Sequence, residues 1–439
     1  MKSSILVVAI SGLLTGAFPP EMMAMFSDIE ARQVPSTDAA QKLSRDRTNC
    51  GPTPCSGFNA KEQLVSTSGQ NAYASPKAGQ IRGPCPGLNA AANHGYLSRS
   101  GVTTIPETIA GLSAAFGMSP ELSAFLAAYA VIFVGNPLLG TWSIGGPPPS
   151  SILTGGLLGG AQGISYSHNV YEGDASIGRK DAYLNNGDAH SLDIKRFTEV
   201  YALGLKDDRY TLDMFAQDFL KKSQQSIATN PYYFAAPFSG TLVAPVAYNF
   251  VINLMSNHSA SEPSGYLDGY NFKQFFGVSG DYPNFKWLKG QERIPENWYR
   301  RPSTNQYGIA NGFLDFATNF AAYPDSLKLG GNTNGVNTYV GVNLSDLTGG
   351  AYNADDLLSL KTGKAACFYA QLAQVLVPDA ALPLVGELAA ILRLVNKWIK
   401  PITGSWDCPF IGQYDQTLFN QFPGYKYRPK GPATNYMKQ

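Results

Sequence analysis

Residues Gly79 to Leu97 read GQIRGPCPGLNAAANHGYL, and the reading of this stretch decides the rest. Cys85 lies between Pro84 and Pro86, and a helix start follows. Neither proline offers a backbone N–H, and both hold φ near about −65°, so the loop is stiff. The N–H groups of Gly87, Leu88 and Asn89 then stand free at a helix N-terminus, turned towards the sulfur. Those donors and the helix dipole favour a thiolate. Such a residue is a nucleophile, a soft-metal ligand or an inert buried cysteine. A nucleophile calls for a histidine base, and the chain has four histidines: His94, His168, His190 and His258.

The 439 residues are 44% hydrophobic and 15% charged, the balance of a globular protein with a large core. A formal net charge of +1 supplies no basic field for nucleic acid. The N-terminal MKSSILVVAISGLLTGAF has the layout of a secretory signal over residues 1–17, cleaved after Ala17. It falls short of the roughly 20 apolar residues of a stable membrane anchor. Ala124 to Val134 is shorter still and follows the helix start Ser119-Pro120-Glu121, so it reads as a buried helix. Asn257 and Asn343 head glycosylation triplets for an exported chain. In an oxidising compartment the five cysteines are expected to pair, and one must remain. Cys50 and Cys55 are close enough in NCGPTPC to bridge, Cys367 and Cys408 can join two C-terminal elements, and Cys85 is left over.

From Gly163 the chain reads GISYSHNVYEGDASIGRKDAY. Glu172, Asp174 and Ser176 alternate here, and Gly173 permits a close backbone approach. These oxygen donors suit a hard cation such as Mg²⁺, or simply a polar turn that caps a helix.

Taken together, Pro84-Cys85-Pro86 and Glu172-Gly173-Asp174 make the chain resemble the secreted fungal heme-thiolate peroxidases, the chloroperoxidase and unspecific peroxygenase family, in its long-chain branch. GLNAAANHGYL, EGDAS, QSIATNP (Gln225 to Pro231), GGPPPSS and the Cys367/Cys408 spacing, which is similar to the family's C-terminal disulfide, extend the resemblance over about Gly79 to Cys408. It implies a mainly α, single-domain fold with long loops, and heme b with Cys85 as the proximal ligand of iron. It further implies Mg²⁺ held by Glu172, the Gly173 carbonyl and Ser176. His94, on the proximal helix, is read as structural.

The resemblance also exposes a departure. The long-chain branch places an arginine and, seven residues later, a glutamate over the heme to move the proton that peroxide cleavage requires. From Pro231 to Met255 this chain has no Glu, Asp, Arg, Lys or His. Aligning Phe250 and Asn253-Leu254 puts Ala247 at the glutamate position and Gly240 or Ser239 at the arginine position. The short-chain branch's histidine position holds Gly173. His168 and Tyr248 are the remaining acid–base candidates, and Tyr171 and Phe250 are expected to line the channel. The implied activity is peroxide-dependent oxidation of a small apolar or aromatic substrate. The alternatives are rearrangement or dehydration of an organic hydroperoxide, and a heme-binding protein that has lost catalysis.

The expected organisation is a signal (1–17), an extended arm (18–78), the domain (79–420) and a tail (421–439). Helical periods fall at Ile105–Leu112, Pro120–Val134, Asp193–Leu203, Leu212–Gln225, Asp355–Leu360, Lys364–Val377 and Leu384–Lys400. The one strand-like alternation is VNTYVGVNL from Val336.

Overall fold

The computed structural model describes residues 57–136, 139–148, 163–326, 329–358 and 409–427, with Lys364, Cys367, Phe368 and Gln371. Within them the protein is mainly α. Helix α1 (Pro86–Asn93) follows Cys85. Helices α2 (Ile105–Phe116) and α3 (Pro120–Val134) pack on each other. Thr104 and Glu107 form a capping box at the start of α2, and Gly117 ends it at φ 67°. Ser119 caps α3 by accepting from the Leu122 N–H. These punctuation residues are why both helices were legible. Helix α2 runs a turn beyond its expected end because Ala115 and Phe116 are buried before the Gly117 stop.

Helices α4 (Ile194–Tyr201) and α5 (Leu212–Thr229) fall where the periodicity puts them, capped by Asp193 and Thr211. Three more do not appear in the sequence reading: α6 (Ala244–Met255), α7 (Gly269–Phe276) and α8 (Ile309–Ala322). Helix α6 is apolar nearly all round and carries Pro245 in its first turn, so it shows no amphipathic period. Glycine, asparagine and threonine in α8 weaken its propensity, and packing on α6 decides it. Strands are short. Antiparallel pairs join β1 (Val102–Thr104) to β2 (Thr141–Ser143), and β4 (Val278–Ser279) to β5 (Lys286–Trp287). Strand β6 (Gly330–Asn332) lies between β3 (Phe234–Ala235) and β7 (Tyr339–Gly341), the last being the core of the expected alternation.

Helices α2, α3, α6 and α7 surround the larger core, and a second cluster gathers Phe234, Phe316, Phe320, Phe419 and Phe422. Residues 57–78, read as an arm, lie along the domain: the Val65 N–H donates to Trp298 O (3.1 Å) and Arg300 meets Glu62 (2.8 Å). Residues 421–427, read as tail, also pack, with Phe422 stacked on Phe234. Among the described residues no helix is long and apolar enough to cross a membrane. Cys85 is a free thiol, and Cys367 belongs to a disulfide whose other cysteine lies outside the described residues. Cys50, Cys55, Cys408, residues 1–17 and the helical period Leu384–Lys400 also lie outside them, as does most of Lys364–Val377.

One buried group ties the fold to pH. His258 is 2% exposed, with its ring Nδ1 2.8 Å from Pro263 O. Burial, aided by Arg301, holds its pKa down to about 4 from 6.5. Because the folded value is depressed, the neutral ring's stability is fully present above pH 6.5 and is lost as pH falls towards 4. The loss reaches at most about 3 kcal/mol. Urea-unfolding midpoints between pH 7 and 4 should fall more steeply for the wild type than for His258→Asn; equal slopes would contradict this assignment.

Candidate active site

Cys85 occupies the N-cap of α1, with Pro86 at the first helical position. Its loop is tied from both sides. Asn89 Oδ1 accepts from the Gly83 N–H (2.9 Å), and Asn89 Nδ2 donates to Gly83 O (2.9 Å) and to Glu292 Oε1 (3.0 Å). Arg179 Nη2 donates to Pro84 O (2.7 Å). A turn later, Asn93 Nδ2 donates to the carbonyls of Gly290 and Glu292, and Arg82 Nε donates to Asn93 Oδ1. Arg82, Asn89 and Asn93 are fully buried, so this network holds the cysteine loop against the 290–292 segment.

The sulfur faces a cavity whose wall is almost wholly apolar. Burial pushes the Cys85 thiol up from its ordinary value, despite the Leu88 and Gly87 N–H groups and Arg179, which favour the charged form. The helix N-terminus therefore tempers the burial cost without overcoming it. Burial likewise raises the Glu292 carboxyl to about 7, against its bond from Asn89 and the pull of Arg179 and Arg82.

Among the described lining residues only Glu172 and Arg179 carry formal charge. Glu172, Gly173 and Ser176 all reach the cavity, where Ser176 Oγ donates to Gly173 O (2.7 Å). Glu172 Oε1 is buried without a hydrogen-bond partner, and its other oxygen lies 3.1 Å from His168 Nδ1. Behind this loop, Asp174 and Asp181 share Asn230 Nδ2 and cap the N–H groups of Ala182 and Ala175. Among the described residues no cluster of three or more His, Cys, Asp and Glu side chains is placed to hold a metal. Glu172 with a carbonyl and a hydroxyl is the nearest approach.

The two acid–base candidates turn away from the cavity. His168 is buried behind Glu172; burial lowers its pKa, but Asp174 and Glu172 outweigh this and raise it to about 9. It is a charge partner for carboxylates and does not line the cavity. Tyr248 packs edge-on against Phe215 and Phe219, and its hydroxyl donates to Ala175 O (2.9 Å). Its phenol is committed to the Glu172–Ser176 loop from behind. Tyr171 and Phe250 line the cavity, together with Phe125 and Phe238. His94 is buried under Tyr73, with Nδ1 2.8 Å from Asn71 O.

The stretch before Met255 also differs in detail from the sequence reading. Residues Ser239–Val243 form a π-helical turn leading into α6. Ala247 lines the cavity, but Gly240 and Ser239 do not; Val243, one turn before Ala247, does. A Cβ at Gly240 would sit 2.7 Å from Ala235 Cα, so a side chain at that position is blocked. Sequence reasoning missed Arg179 altogether. Its signal was its place seven residues beyond Glu172 in EGDASIGR, within a loop already singled out.

This is a mainly α protein that presents a clamped cysteine, at a helix N-terminus, to an apolar cavity with a narrow polar edge. The chain belongs to the fungal heme-thiolate peroxidases and so to the oxidoreductases: residues 71–303 match the family described as "Peroxidase, family 2". A dothistromin biosynthesis peroxidase of Dothistroma septosporum is 37% identical over 84% of this chain and 88% of its own length. An aromatic peroxidase of Fusarium equiseti is 33% identical over 84% and 87%. An aromatic peroxygenase of Cyclocybe aegerita is 31% identical over 52% and 57%.

The family implies heme, and the residues present fit it. The sulfur is free and faces the cavity, the walls are apolar, and Arg179 puts a cation on the wall for an anionic side arm. The polar loop must also stay close to the wall opposite. A Cβ on Gly173 would lie 3.1 Å from Ser239 C and 3.2 Å from Gly240 N, in backbone that cannot easily give way. Gly173→Ala should therefore lower stability by about 1–3 kcal/mol, read from the urea midpoint; an unchanged midpoint would show that the loop has slack.

Proposed function

We propose that this protein binds heme b through Cys85 and uses peroxide to oxidise small apolar or aromatic molecules, without a positioned distal acid–base pair. The observation that carries this reading is the cavity itself, with the free Cys85 sulfur facing it and, among the described residues of its wall, only Glu172 and Arg179 charged. When bound, heme supplies the redox centre at which peroxide is reduced and oxygen or electrons are passed to substrate. With heme bound, Cys85 would hold the iron, and the Leu88 and Gly87 N–H groups, which favour the charged sulfur, would temper how strongly it donates. Arg179 holds Pro84 O and, as a cation on the cavity wall, would be a partner for a heme carboxylate. The unpartnered Glu172 Oε1, with Gly173 O and Ser176 Oγ, would hold Mg²⁺ beside a second carboxylate.

Phe125, Leu126, Phe238, Leu242, Val243 and Phe250 exclude water and select an apolar substrate. The relatives named as aromatic peroxidase and aromatic peroxygenase support an aromatic one. None of these wall residues can take a proton from peroxide, so cleavage of the O–O bond proceeds without that assistance. The same apolar wall favours a second reading, in which an organic hydroperoxide is the oxidant or the substrate. Secretion through a signal at 1–17, glycosylation at Asn343, an exposed helix cap, and a Cys367–Cys408 disulfide complete the proposal. So does a catalytic domain spanning 79–420, with residues 57–78 bound along it.

The heme-loaded protein should show a Soret band and, reduced under CO, the absorption of a thiolate-ligated adduct. Cys85→Ala should lose the second feature, and a wild type that stays colourless with heme supplied would refute the reading. Losing a general acid–base costs about 10²–10⁴-fold in rate. Ala247→Glu with Val243→Arg places both groups on the cavity wall a turn apart and should recover part of that range in the rate of hydrogen peroxide consumption. No gain in a variant that keeps the Soret band would show that proton delivery is not what this wall lacks.

A further inference from the structure

We infer that Tyr183, Tyr232 and Tyr427 form a second oxidation site at the protein surface, where phenols too bulky for the cavity give up electrons one at a time. The inference rests on the heme reading above. The three rings come from separate segments and touch one another, with centroids 4.6 Å apart for Tyr183–Tyr232, 5.1 Å for Tyr232–Tyr427 and 5.6 Å for Tyr183–Tyr427. The backbone fixes their meeting. Asn169 Nδ2 donates to Gly424 O (2.9 Å), and Gly424 passes so close to Tyr232 O that an added Cβ would lie 2.0 Å from it.

One end of the cluster is in solvent and the other leads inward. Tyr183 is 40% exposed. Tyr427 stands edge-on to His168 (centroids 6.0 Å, 81°), and His168 Nδ1 is 3.1 Å from Glu172, which lines the cavity. Side chains in contact thus run from the cavity wall to water. A phenol is readily oxidised only where its proton can leave. Tyr171 on the cavity wall and Tyr129 packed against it are turned away from water, and desolvation raises both phenols well above their ordinary range. At Tyr183 water can take the proton.

The step balances with peroxide as oxidant. Each oxidation at the cluster sends one electron inward to the peroxide-oxidised heme and one proton to solvent, leaving a phenoxyl radical on tyrosine. A phenol in solution then gives a hydrogen atom to that radical, restoring Tyr183 and departing as its own phenoxyl radical. Two such events complete the reduction of one hydrogen peroxide to two waters.

The test uses the heme-loaded full chain and the double variant Tyr183→Phe/Tyr232→Phe, which keeps both rings. Hydrogen peroxide without substrate should give the wild type a tyrosyl radical signal and dityrosine-linked copies that map to Tyr183. The wild type should also oxidise a phenol fixed to a soluble polymer. The variant should lose all three while keeping its Soret band and its turnover of a small aromatic substrate. Links that map elsewhere, or undiminished oxidation of the polymer-bound phenol by the variant, would overturn the surface site alone. A chain that takes up no heme would overturn the Cys85 reading and this site with it.

Discussion

The structure depends on how one sulfur is held. Two prolines remove the local N–H donors and fix the turn. Asn89 clasps Gly83 on both its polar groups, and Arg179 pins Pro84 O from a distant loop. Each constraint is weak alone, but together they place Cys85 at the head of α1 with almost no freedom. That rigidity matters because the sulfur faces apolar space, where burial disfavours a bare thiolate. A metal bound to the thiolate would offset that penalty, which is the physical sense of clamping a cysteine against an apolar wall.

The opposite wall obeys a different constraint. The backbone of the Ser239–Val243 turn, which leads into α6, passes close to Gly173, so the polar loop and that turn pack as one unit. His168, Asp174, Asp181 and Asn230 brace that loop from behind, and Tyr248 ties α6 to it through Ala175 O. The polar residues near the site thus support its edge, and the described residues of the remaining cavity wall are largely apolar.

How much of this was legible in the sequence follows from where the signals reside. The Cys85 loop and the Glu172–Ser176 turn were singled out by proline, glycine and short-range spacing, while the roles expected of them came from the family resemblance; the helices with Ser, Thr or Asp caps were found from those caps. Helices α6 and α8 were missed because nearly uniform apolarity and weak propensity erase the period that packing later imposes. The direction of His168 and Tyr248 could not be read from spacing, since it depends on Asp174 and Ala175 meeting them in three dimensions. Gly240 lies off the cavity wall for a similar reason: the π-helical turn rotates the positions that precede Ala247.

The central claim is that the heme cradle is intact while proton delivery to peroxide is absent. An organic peracid carries a leaving group that needs no protonation, whereas hydrogen peroxide does. The direct measurement is the ratio of the two second-order rates for the heme-loaded wild type in a stopped-flow mixer. The account predicts that the peracid reacts faster by about 10²–10⁴-fold, the span a general acid–base supplies. Equal rates for the two oxidants would contradict it.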